Sequence, residues 1–326
     1  MIVVTGAAGF IGANLALKLL ESPSTELLAV DHEAENCARY LGDESERVCF
    51  VRADRLPEWL ASQAERVEAI LHLGACSETT ARDRAYMLAN NTEYTRTLFK
   101  WCAAHAKPFV YASSASTYGD GAQGFDDEAD PRQLKPMHLY GESKHLFDLW
   151  ALEQRITPPR WAGLKFFNVY GPREGHKGRM ASMVLHTFKQ IQATGQVKLF
   201  KSERKDFEDG GQKRDFVYVD DAVAAVLHFL RAPVTKDAPN GLYNVGTGQA
   251  RTFKALAEAT FAALGRAPNI EYIPMPEDLR AQYQYFTCAA AAKRARAGLA
   301  GPFVTLEEGV RRYVTGFLAG RPEVRA

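Results

Sequence analysis

The 326-residue sequence has no excess of charge of either sign and no long apolar run. Its 40 Lys and Arg residues balance 39 Asp and Glu residues, which gives no reason to expect nucleic acid or an anionic membrane as a partner. No apolar stretch is long enough to span a bilayer. Because the first residues already read as a core strand, we expect no signal peptide and a cytoplasmic location.

Cysteine is also scarce. The five cysteines are scattered and odd in number, and they form neither a CxxC pair nor a Cys/His cluster. The sequence therefore predicts no metal site, and reduced, mostly buried thiols in a cytosolic protein are the simplest interpretation. No internal repeat or low-complexity segment stands out. The length suits one large α/β domain with a smaller lobe.

What the sequence does contain is a glycine turn near its start, between a short apolar strand at 2–4 and a helix-patterned segment at 11–20. This order is the context of a dinucleotide site, because glycine lets a pyrophosphate approach the backbone and the N–H groups opening the helix favour an anion. The GxxGxxG spacing is common in short-chain dehydrogenases. The cofactor-binding residues predicted here are Gly6, Gly9, Phe10, Ile11 and Gly12.

A second predicted strand, 26–30, ends on Asp31. Its carboxylate could accept hydrogen bonds from an adenosine ribose, although capping a helix is a simpler role for such a residue. Asp31 favours NAD over NADP because a 2′-phosphate would lie against the carboxylate. His32 and Arg39, just beyond, could offset this with positive charge, so the sequence leaves the choice of cofactor open.

Further strands are predicted at 47–52, 67–73 and 108–114, and a helix at 86–106. Small residues after the strand at 67–73 let the chain pass close to the middle of a cofactor, and the residues predicted to bind it there are Leu73, Gly74, Ala75, Cys76 and Ser77. Asp54 is expected near the adenine. Asn90 and Asn91 form either a polar helix face or a contact beside the ribose.

Tyr140 and Lys144 are the first candidates for chemistry. They lie at i and i+4 in YGESK, so they share one face of a predicted helix at 140–154. Tyrosine, with an ordinary pKa of about 10, needs help to act as a base, and a lysine ammonium one turn away favours the phenolate. Ser114, at the end of the preceding strand, could hold the substrate oxygen while Tyr140 takes its proton. Ser113, Ser116 and Thr117 are rival hydroxyls.

A sixth strand is predicted over 162–170, and 168–172 resembles extended short-chain dehydrogenases. Four longer blocks closely resemble the ADP-L-glycero-D-manno-heptose 6-epimerases, and together with the other motifs the resemblance covers nearly the whole chain. These blocks are HLGACSETT (72–80), FFNVYGPREGHKGRMASM (166–183), KRDFVYVDD (213–221) and IEYIPMPEDLRAQYQYFT (270–287).

The resemblance implies a Rossmann-type doubly wound parallel sheet with a smaller C-terminal α/β substrate lobe, bound NADP and a homo-oligomer. It also implies inversion of C6 of the heptose in an ADP-activated sugar, by transient oxidation and reduction, for the lipopolysaccharide core. Lys177 matches the second catalytic position of the family, beside Tyr140, although binding a phosphate or facing solvent are simpler roles for a lysine. Lys144, Val169 and Lys177 would also contact the cofactor.

Substrate-binding positions carry over from the family where this sequence matches it. They are Asn168, Arg179, His186, Phe200, Lys201, Ser202, Glu203, Arg214 and Tyr283. Arg179, Lys201 and Glu203 differ from some family members, and the 201–213 loop is longer than in some. We expect residues 1–170, with parts of 213–250, to form the cofactor domain, and 171–326 mainly the substrate lobe. The alternatives are another nucleotide-sugar epimerase or dehydratase, or a non-catalytic NAD(P) sensor.

Overall fold

The computed structural model of the protein describes residues 1–79, 82–280 and 283–320. Three residues of the resemblance blocks, Thr80, Ala281 and Gln282, lie outside the described residues. Ala81 also lies outside the described residues, and so do residues 321–326, the end of the predicted substrate lobe.

The described part of the chain forms a seven-stranded parallel sheet with helices on both faces. The strands of this sheet are β1 (Ile2–Thr5), β2 (Leu27–Asp31), β3 (Val48–Arg52), β4 (Ala69–His72), β5 (Phe109–Ser114), β6 (Trp161–Phe166) and β10 (Gly241–Val245). Their spatial order is β3-β2-β1-β4-β5-β6-β10, so the order reverses between β1 and β4, which confirms the predicted Rossmann-type doubly wound class.

The helices that follow the strands include π-helical turns at Ala89–Glu93 and Val314–Leu318. The α-helices are α1 (Phe10–Leu20), α2 (Ala38–Leu41), α3 (Leu56–Gln63), α4 (Arg84–Leu88), α5 (Tyr94–Ala104), α6 (Leu139–Leu152), α7 (Met183–Thr194), α8 (Val219–Arg231), α9 (Phe253–Ala263), α10 (Glu277–Arg280), α11 (Ala292–Arg296) and α12 (Leu306–Tyr313). Among the described residues, we find no helix with both the length and the apolar character needed to cross a membrane.

Two apolar cores flank the sheet because successive residues of a strand point to opposite faces. Val4 packs in the core formed with α1 and α8, whereas Val3 packs in the core formed with α3, α5 and α6. Both valines are fully buried. Strands covered on both faces read as unbroken apolar runs, which is why the sequence identified them.

The predicted strand at 162–170 is two strands. The chain leaves the large sheet at Phe167, whose N–H still donates to the Val245 carbonyl, and it continues as β7 (Asn168–Tyr170). β7 pairs with β9 (Lys213–Tyr218), which pairs with β11 (Ala250–Thr252). This three-stranded sheet and the pair β8 (Val197–Phe200) and β12 (Ile270–Ile273) carry the C-terminal part of the chain. The predicted division at residue 170 stays a prediction.

Candidate active site

A cavity of about 670 Å³ lies at the carboxyl ends of β1, β2, β4 and β5. The cavity lies at the point where the strand order reverses, which is where doubly wound sheets bind ligands. Most of the residues predicted to bind the cofactor line it. They are Gly6, Gly9, Phe10, Ile11, Gly12, Asp31, His32, Leu73, Gly74, Ala75, Ser77, Asn90, Val169 and Lys177.

Close packing requires glycine at two positions of the turn. Gly6 has φ +68°, and a Cβ there would lie 2.7 Å from the Gly74 nitrogen. A Cβ on Gly12 would lie 1.9 Å from the Gly6 carbonyl oxygen. α1 starts after Gly9, and no described side chain caps it. Its first N–H groups therefore lie at the cavity wall, where they suit a pyrophosphate.

Asp31 lies at the end of β2 with both carboxylate oxygens engaged by the backbone. Ala8 N–H donates to Oδ2 at 2.9 Å, and His32 N–H donates to Oδ1 at 2.8 Å. These bonds hold the carboxylate at the adenosine end of the cavity. The glycine turn, the uncapped helix and this acidic residue together fit the adenosine half of a nicotinamide dinucleotide.

Ser114, Tyr140 and Lys144 meet at the other end of the cavity. α6 begins at His138, whose Nδ1 accepts the Gly141 N–H at 3.1 Å, and this start places Tyr140 and Lys144 in the first two turns. A side-chain hydrogen bond joins Tyr140 to Ser114 and favours the phenolate. Lys144 is 3 % exposed, so its ammonium is held within the protein.

Burial dominates the electrostatics of this group. It raises the pKa of Tyr140 above the ordinary 10.0, and the hydrogen bond to Ser114 opposes that rise. It lowers the pKa of Lys144 to about 8, against the attraction of Asp148. The sequence predicted that Lys144 would favour the phenolate, but the structure shows desolvation as the larger effect. Tyr140 is therefore a neutral phenol at pH 7.

The asparagine pair divides between two roles. Asn90 lines the cavity, whereas Asn91 is fully buried in the π-helical turn. The Asn91 side chain accepts the Cys76 N–H at 2.8 Å and donates to the Cys76 carbonyl at 2.9 Å. It also donates to the Ser143 hydroxyl on α6 at 3.0 Å. Asn91 thus fixes the loop after β4 against α6, and Cys76 itself does not line the cavity.

A second cavity, of about 750 Å³, adjoins the first. Phe167, Val169 and Lys177 line both, so Lys177 stands where the two cavities meet. The Lys177 ammonium lies 5.4 Å from the centre of the Phe10 ring. Burial lowers the pKa of Lys177, and Glu174 opposes that shift.

Arg214 is the main charged group deep in the second cavity. It is 9 % exposed and lies between the rings of Phe253 and Tyr283, with its guanidinium carbon 5.5 Å from each centre. Nη1 donates to the Lys213 carbonyl at 2.9 Å, and no described carboxylate pairs with it. A buried cation with this surrounding suits an anionic ligand. The other predicted substrate residues that line this cavity are Asn168, His186, Phe200 and Tyr283.

The model of the NAD dependent epimerase/dehydratase family matches residues 2–246. The chain is 44% identical to the ADP-L-glycero-D-manno-heptose-6-epimerase of Fusobacterium nucleatum, over 98% of each chain. The corresponding enzyme of Nitratidesulfovibrio vulgaris is also 44% identical over 98% of each chain. The chain belongs to the ADP-L-glycero-D-manno-heptose-6-epimerases, within the epimerase/dehydratase family.

Solved structures agree with this assignment. The Helicobacter pylori ADP-L-glycero-D-manno-heptose-6-epimerase superposes with a TM-score of 0.76 at 27% identity, covering 98% of this chain and 96% of that one. The Thermus thermophilus UDP-glucose 4-epimerase, in complex with NAD, superposes with a TM-score of 0.76 at 25% identity, covering 98% and 99%. A nicotinamide dinucleotide is therefore the cofactor class of this family member.

Five further predicted positions line neither cavity. Arg39 is exposed on α2. Burial lowers the pKa of His176, which lines the first cavity, and the charges of Lys177 and Arg39 lower it further. Arg179 is exposed, and its carbonyl lies 3.3 Å from His186 Nε2. Lys201, Ser202 and Glu203 directly follow Phe200, which lines the second cavity. Their roles stay predictions.

Hydrogen bonds and an ion pair hold residues 201–203 in place. The Lys201 N–H donates to the Ile273 carbonyl at 2.8 Å, and the Ser202 N–H donates to Asp209 at 2.8 Å. Glu203 lies 3.4 Å from the Arg280 guanidinium on α10. The 201–212 loop is therefore bonded to β12, whose Ile273 lines the second cavity, and to α10.

Several cavity residues were missed by sequence reasoning. Asp54 had been expected near the adenine and lines the first cavity, but Tyr94 and His176 were not identified. Tyr94 lies one helical turn from Asn90, a spacing that could have found it.

Asp148, one turn beyond Lys144, is fully buried and accepts hydrogen bonds from Tyr111 at 2.8 Å and Ser113 at 2.6 Å. Ser113 is therefore committed to Asp148, which leaves Ser114 as the hydroxyl beside Tyr140.

Proposed function

We propose that this protein converts ADP-D-glycero-β-D-manno-heptose into ADP-L-glycero-β-D-manno-heptose by inverting C6, as a step toward the heptose precursor of the lipopolysaccharide inner core. It is an enzyme, an epimerase, like the relatives it matches. The observation that carries the proposal is the meeting of two cavities at Lys177. One holds the Ser114–Tyr140–Lys144 group, and the other holds Arg214, which is buried and has no carboxylate partner among the described residues.

The nicotinamide dinucleotide is NADP in this proposal. Asp31 would repel a 2′-phosphate, but both of its oxygens already accept backbone N–H groups. Arg39 and His176 lie close enough to influence each other, and Asp31 acts on the same histidine. Burial lowers the pKa of His176, so this histidine is neutral at pH 7. The positive charge that supports NADP over NAD is therefore the Arg39 guanidinium.

Acid–base groups act on the two faces of the sugar carbon C6. A bound nicotinamide supplies a reversible hydride acceptor for the sugar carbon. Tyr140 moves a proton at the C6 oxygen, Ser114 holds that oxygen by a hydrogen bond, and Lys144 supplies positive charge beside the phenol. Lys177, which lies at the junction with the second cavity, serves as the acid or base on the other face of the ketone.

C6 is exocyclic, so a turn about the C5–C6 bond presents either face without moving the rest of the substrate. The remaining groups hold that substrate in place. Arg214 binds the diphosphate, and Asn168 and His186 contact the sugar. Phe200 and Tyr283, whose rings meet edge to face at 6.1 Å, close the far side.

The direct test is to supply the purified protein with ADP-D-glycero-β-D-manno-heptose and no added cofactor. We expect the L-glycero epimer in the NMR spectrum of the products, and NADP in the supernatant after the protein is denatured. Turnover of a UDP- or dTDP-hexose in place of this sugar would contradict the proposal. Release of NAD alone would contradict the choice of NADP.

Tyr140→Phe removes the hydroxyl and keeps the ring. Since a positioned acid–base group contributes roughly 10²–10⁴-fold, we expect turnover to fall by that factor while nucleotide binding survives. Lys177→Met should give a loss of similar size if lysine is the second acid–base group. A protein that only senses NAD(P) would have no activity to lose.

The proposal also includes a cytoplasmic location and a homo-oligomeric assembly. The chemistry of the substrate supports the location, because nucleotide sugars are made and consumed beside the cytoplasmic nucleotide pool. Light scattering after size-exclusion chromatography tests the assembly, and a mass equal to that of one 36.1 kDa chain would contradict it.

A further inference from the structure

Glu174 is a buried carboxylate to which the proposed reaction gives no task. It is fully buried in the segment that follows β7. Its Oε1 accepts the Ser182 hydroxyl at 2.6 Å and lies 3.4 Å from the Gly171 nitrogen, and its Oε2 accepts the Ser182 N–H at 2.6 Å. One side chain therefore ties together both ends of the 171–182 segment.

The same carboxylate is tied to the end of the chain. Tyr313, in the last turn of α12, is 1 % exposed and makes a side-chain hydrogen bond to Glu174. Buried carboxylates are costly unless several donors satisfy them, and here donors come from the segment itself and from a distant helix. Glu174 thus anchors the segment to the body of the substrate lobe.

Lys177 sits in the middle of this segment, with open space on either side of its backbone. A Cβ added at Gly175 or at Gly178 would meet no heavy atom within 4 Å. The Lys177 N–H donates to the Glu174 carbonyl at 3.0 Å. The anchor at Glu174 therefore helps to fix the backbone that carries the lysine, together with the bond from Arg173 to Asn14 and the contact of the ammonium with the Phe10 ring.

The two side chains also interact through their charges. Burial lowers the pKa of Lys177, and Glu174 opposes that shift. Burial likewise raises the pKa of Glu174, and the bonds from Ser182 and the charge of Lys177 oppose that rise. No other described acidic group contributes to the shift of Lys177. His176 is the adjoining titratable group, and Arg39 and Asp31 act on it in turn. α1 presents the Phe10 ring to the ammonium, and α12 presents Tyr313 to the carboxylate.

We infer that Glu174 is the positioning residue of Lys177: it holds the 171–182 segment so that the ammonium reaches the junction of the two cavities, and its negative charge stabilises that ammonium. The inference rests on the proposed role of Lys177 in epimerisation. It assigns Glu174 no contact with substrate.

The first test reads Lys177 without using catalysis. The full-length protein is acylated with acetic anhydride from about pH 6 to about pH 11, and modification of Lys177 is followed by mass spectrometry. In Glu174→Gln, which keeps the size of the side chain, the midpoint should fall by about one pH unit, a usual effect of removing one nearby opposite charge. In the control Tyr313→Phe, which loses one hydrogen bond but keeps the carboxylate, it should stay where it is.

The second test measures epimerisation against pH in the same variants. Glu174→Gln should lower turnover by about tenfold or more and move the limb of the profile that belongs to Lys177 to lower pH, whereas Tyr313→Phe should leave that limb in place. The double variant Glu174→Gln/Lys177→Met should be no slower than Lys177→Met alone, because both changes act through one group.

The outcomes separate the two claims. If Lys177→Met turns over like the wild type, the proposed role of Lys177 fails. If Lys177→Met is inactive but Glu174→Gln keeps both the wild-type acylation midpoint and the wild-type turnover, the inference about Glu174 is overturned while the proposed function stands. Lowered activity in Glu174→Gln with an unmoved midpoint and limb would make Glu174 merely structural and would also overturn the inference.

Discussion

Replacing Lys144 by methionine is expected to stabilise the folded protein while abolishing its activity. The lysine is 3 % exposed, and burial lowers its pKa from 10.5 to about 8 even though Asp148 attracts it. A depression of about 2.5 units corresponds to about 3 kcal/mol, at about 1.4 kcal/mol per unit. The folded state bears this cost in order to keep an ammonium beside Tyr140, and an apolar side chain of similar length removes it.

The dependence on pH has a definite sign. Below about pH 8 Lys144 is protonated in both the folded and the unfolded chain, so the cost is fully present. Between about pH 8 and 10.5 the folded protein releases the proton first, so the unfolded state binds more protons and the free energy of unfolding of the wild type rises. By about pH 9 the wild type should have recovered about 1.4 kcal/mol relative to Lys144→Met.

The assay is urea unfolding of the nucleotide-stripped proteins at about pH 7 and about pH 9, followed by circular dichroism. Lys236→Met serves as the control, because Lys236 is exposed and its replacement should leave no pH-dependent difference. About 3 kcal/mol is an upper limit, since Asp148 loses part of its compensation. A Lys144→Met protein less stable than the wild type at pH 7, by a margin that does not change at pH 9, would refute the reasoning.

Three further substitutions test other parts of the site. Arg214→Met should raise the KM for the ADP-sugar by about 10- to 100-fold, the worth of a charged hydrogen bond, and leave NADP affinity in calorimetry unchanged. Gly12→Ala would bring a Cβ to 1.9 Å from the Gly6 carbonyl oxygen, so we expect a loss of about 1–3 kcal/mol in thermal unfolding and purification without nucleotide. Asn91→Leu removes both bonds to the Cys76 backbone and should weaken nucleotide binding by at least about tenfold at a similar kcat. Wild-type behaviour in any of these would contradict the role given to that residue.

The fold was readable from the sequence because its signals are local. The glycine turn follows a buried strand directly, and Tyr140 and Lys144 are one helical turn apart, so spacing alone brings them together. The family resemblance identified Lys177, and the structure brings this lysine to the junction of the two cavities. Such features depend on a few neighbouring residues and on the fixed geometry of strands and helices.

Other features depend on contacts between distant parts of the chain. The break at Phe167 arises because β7 pairs with β9, which lies some forty-five residues later in the sequence. Asn91 accepts a hydrogen bond from Cys76, 15 residues earlier in the chain, and helical or strand periodicity does not predict a contact between them. The sign of the Tyr140 pKa shift follows from burial, which only the packed structure reveals. Glu174 lies in the polar stretch REGHKGR, where nothing in the sequence predicts burial, and yet it is fully buried.

The central claim is that a hydrogen leaves C6 of the sugar and returns to the same carbon on the opposite face. It is tested most directly with ADP-D-glycero-β-D-manno-heptose deuterated at C6, converted in ordinary water and analysed by NMR and mass spectrometry. The account predicts that the L-glycero product keeps its deuterium at C6. Loss of the label to water during inversion would show that the carbon is deprotonated instead, and it would contradict the account.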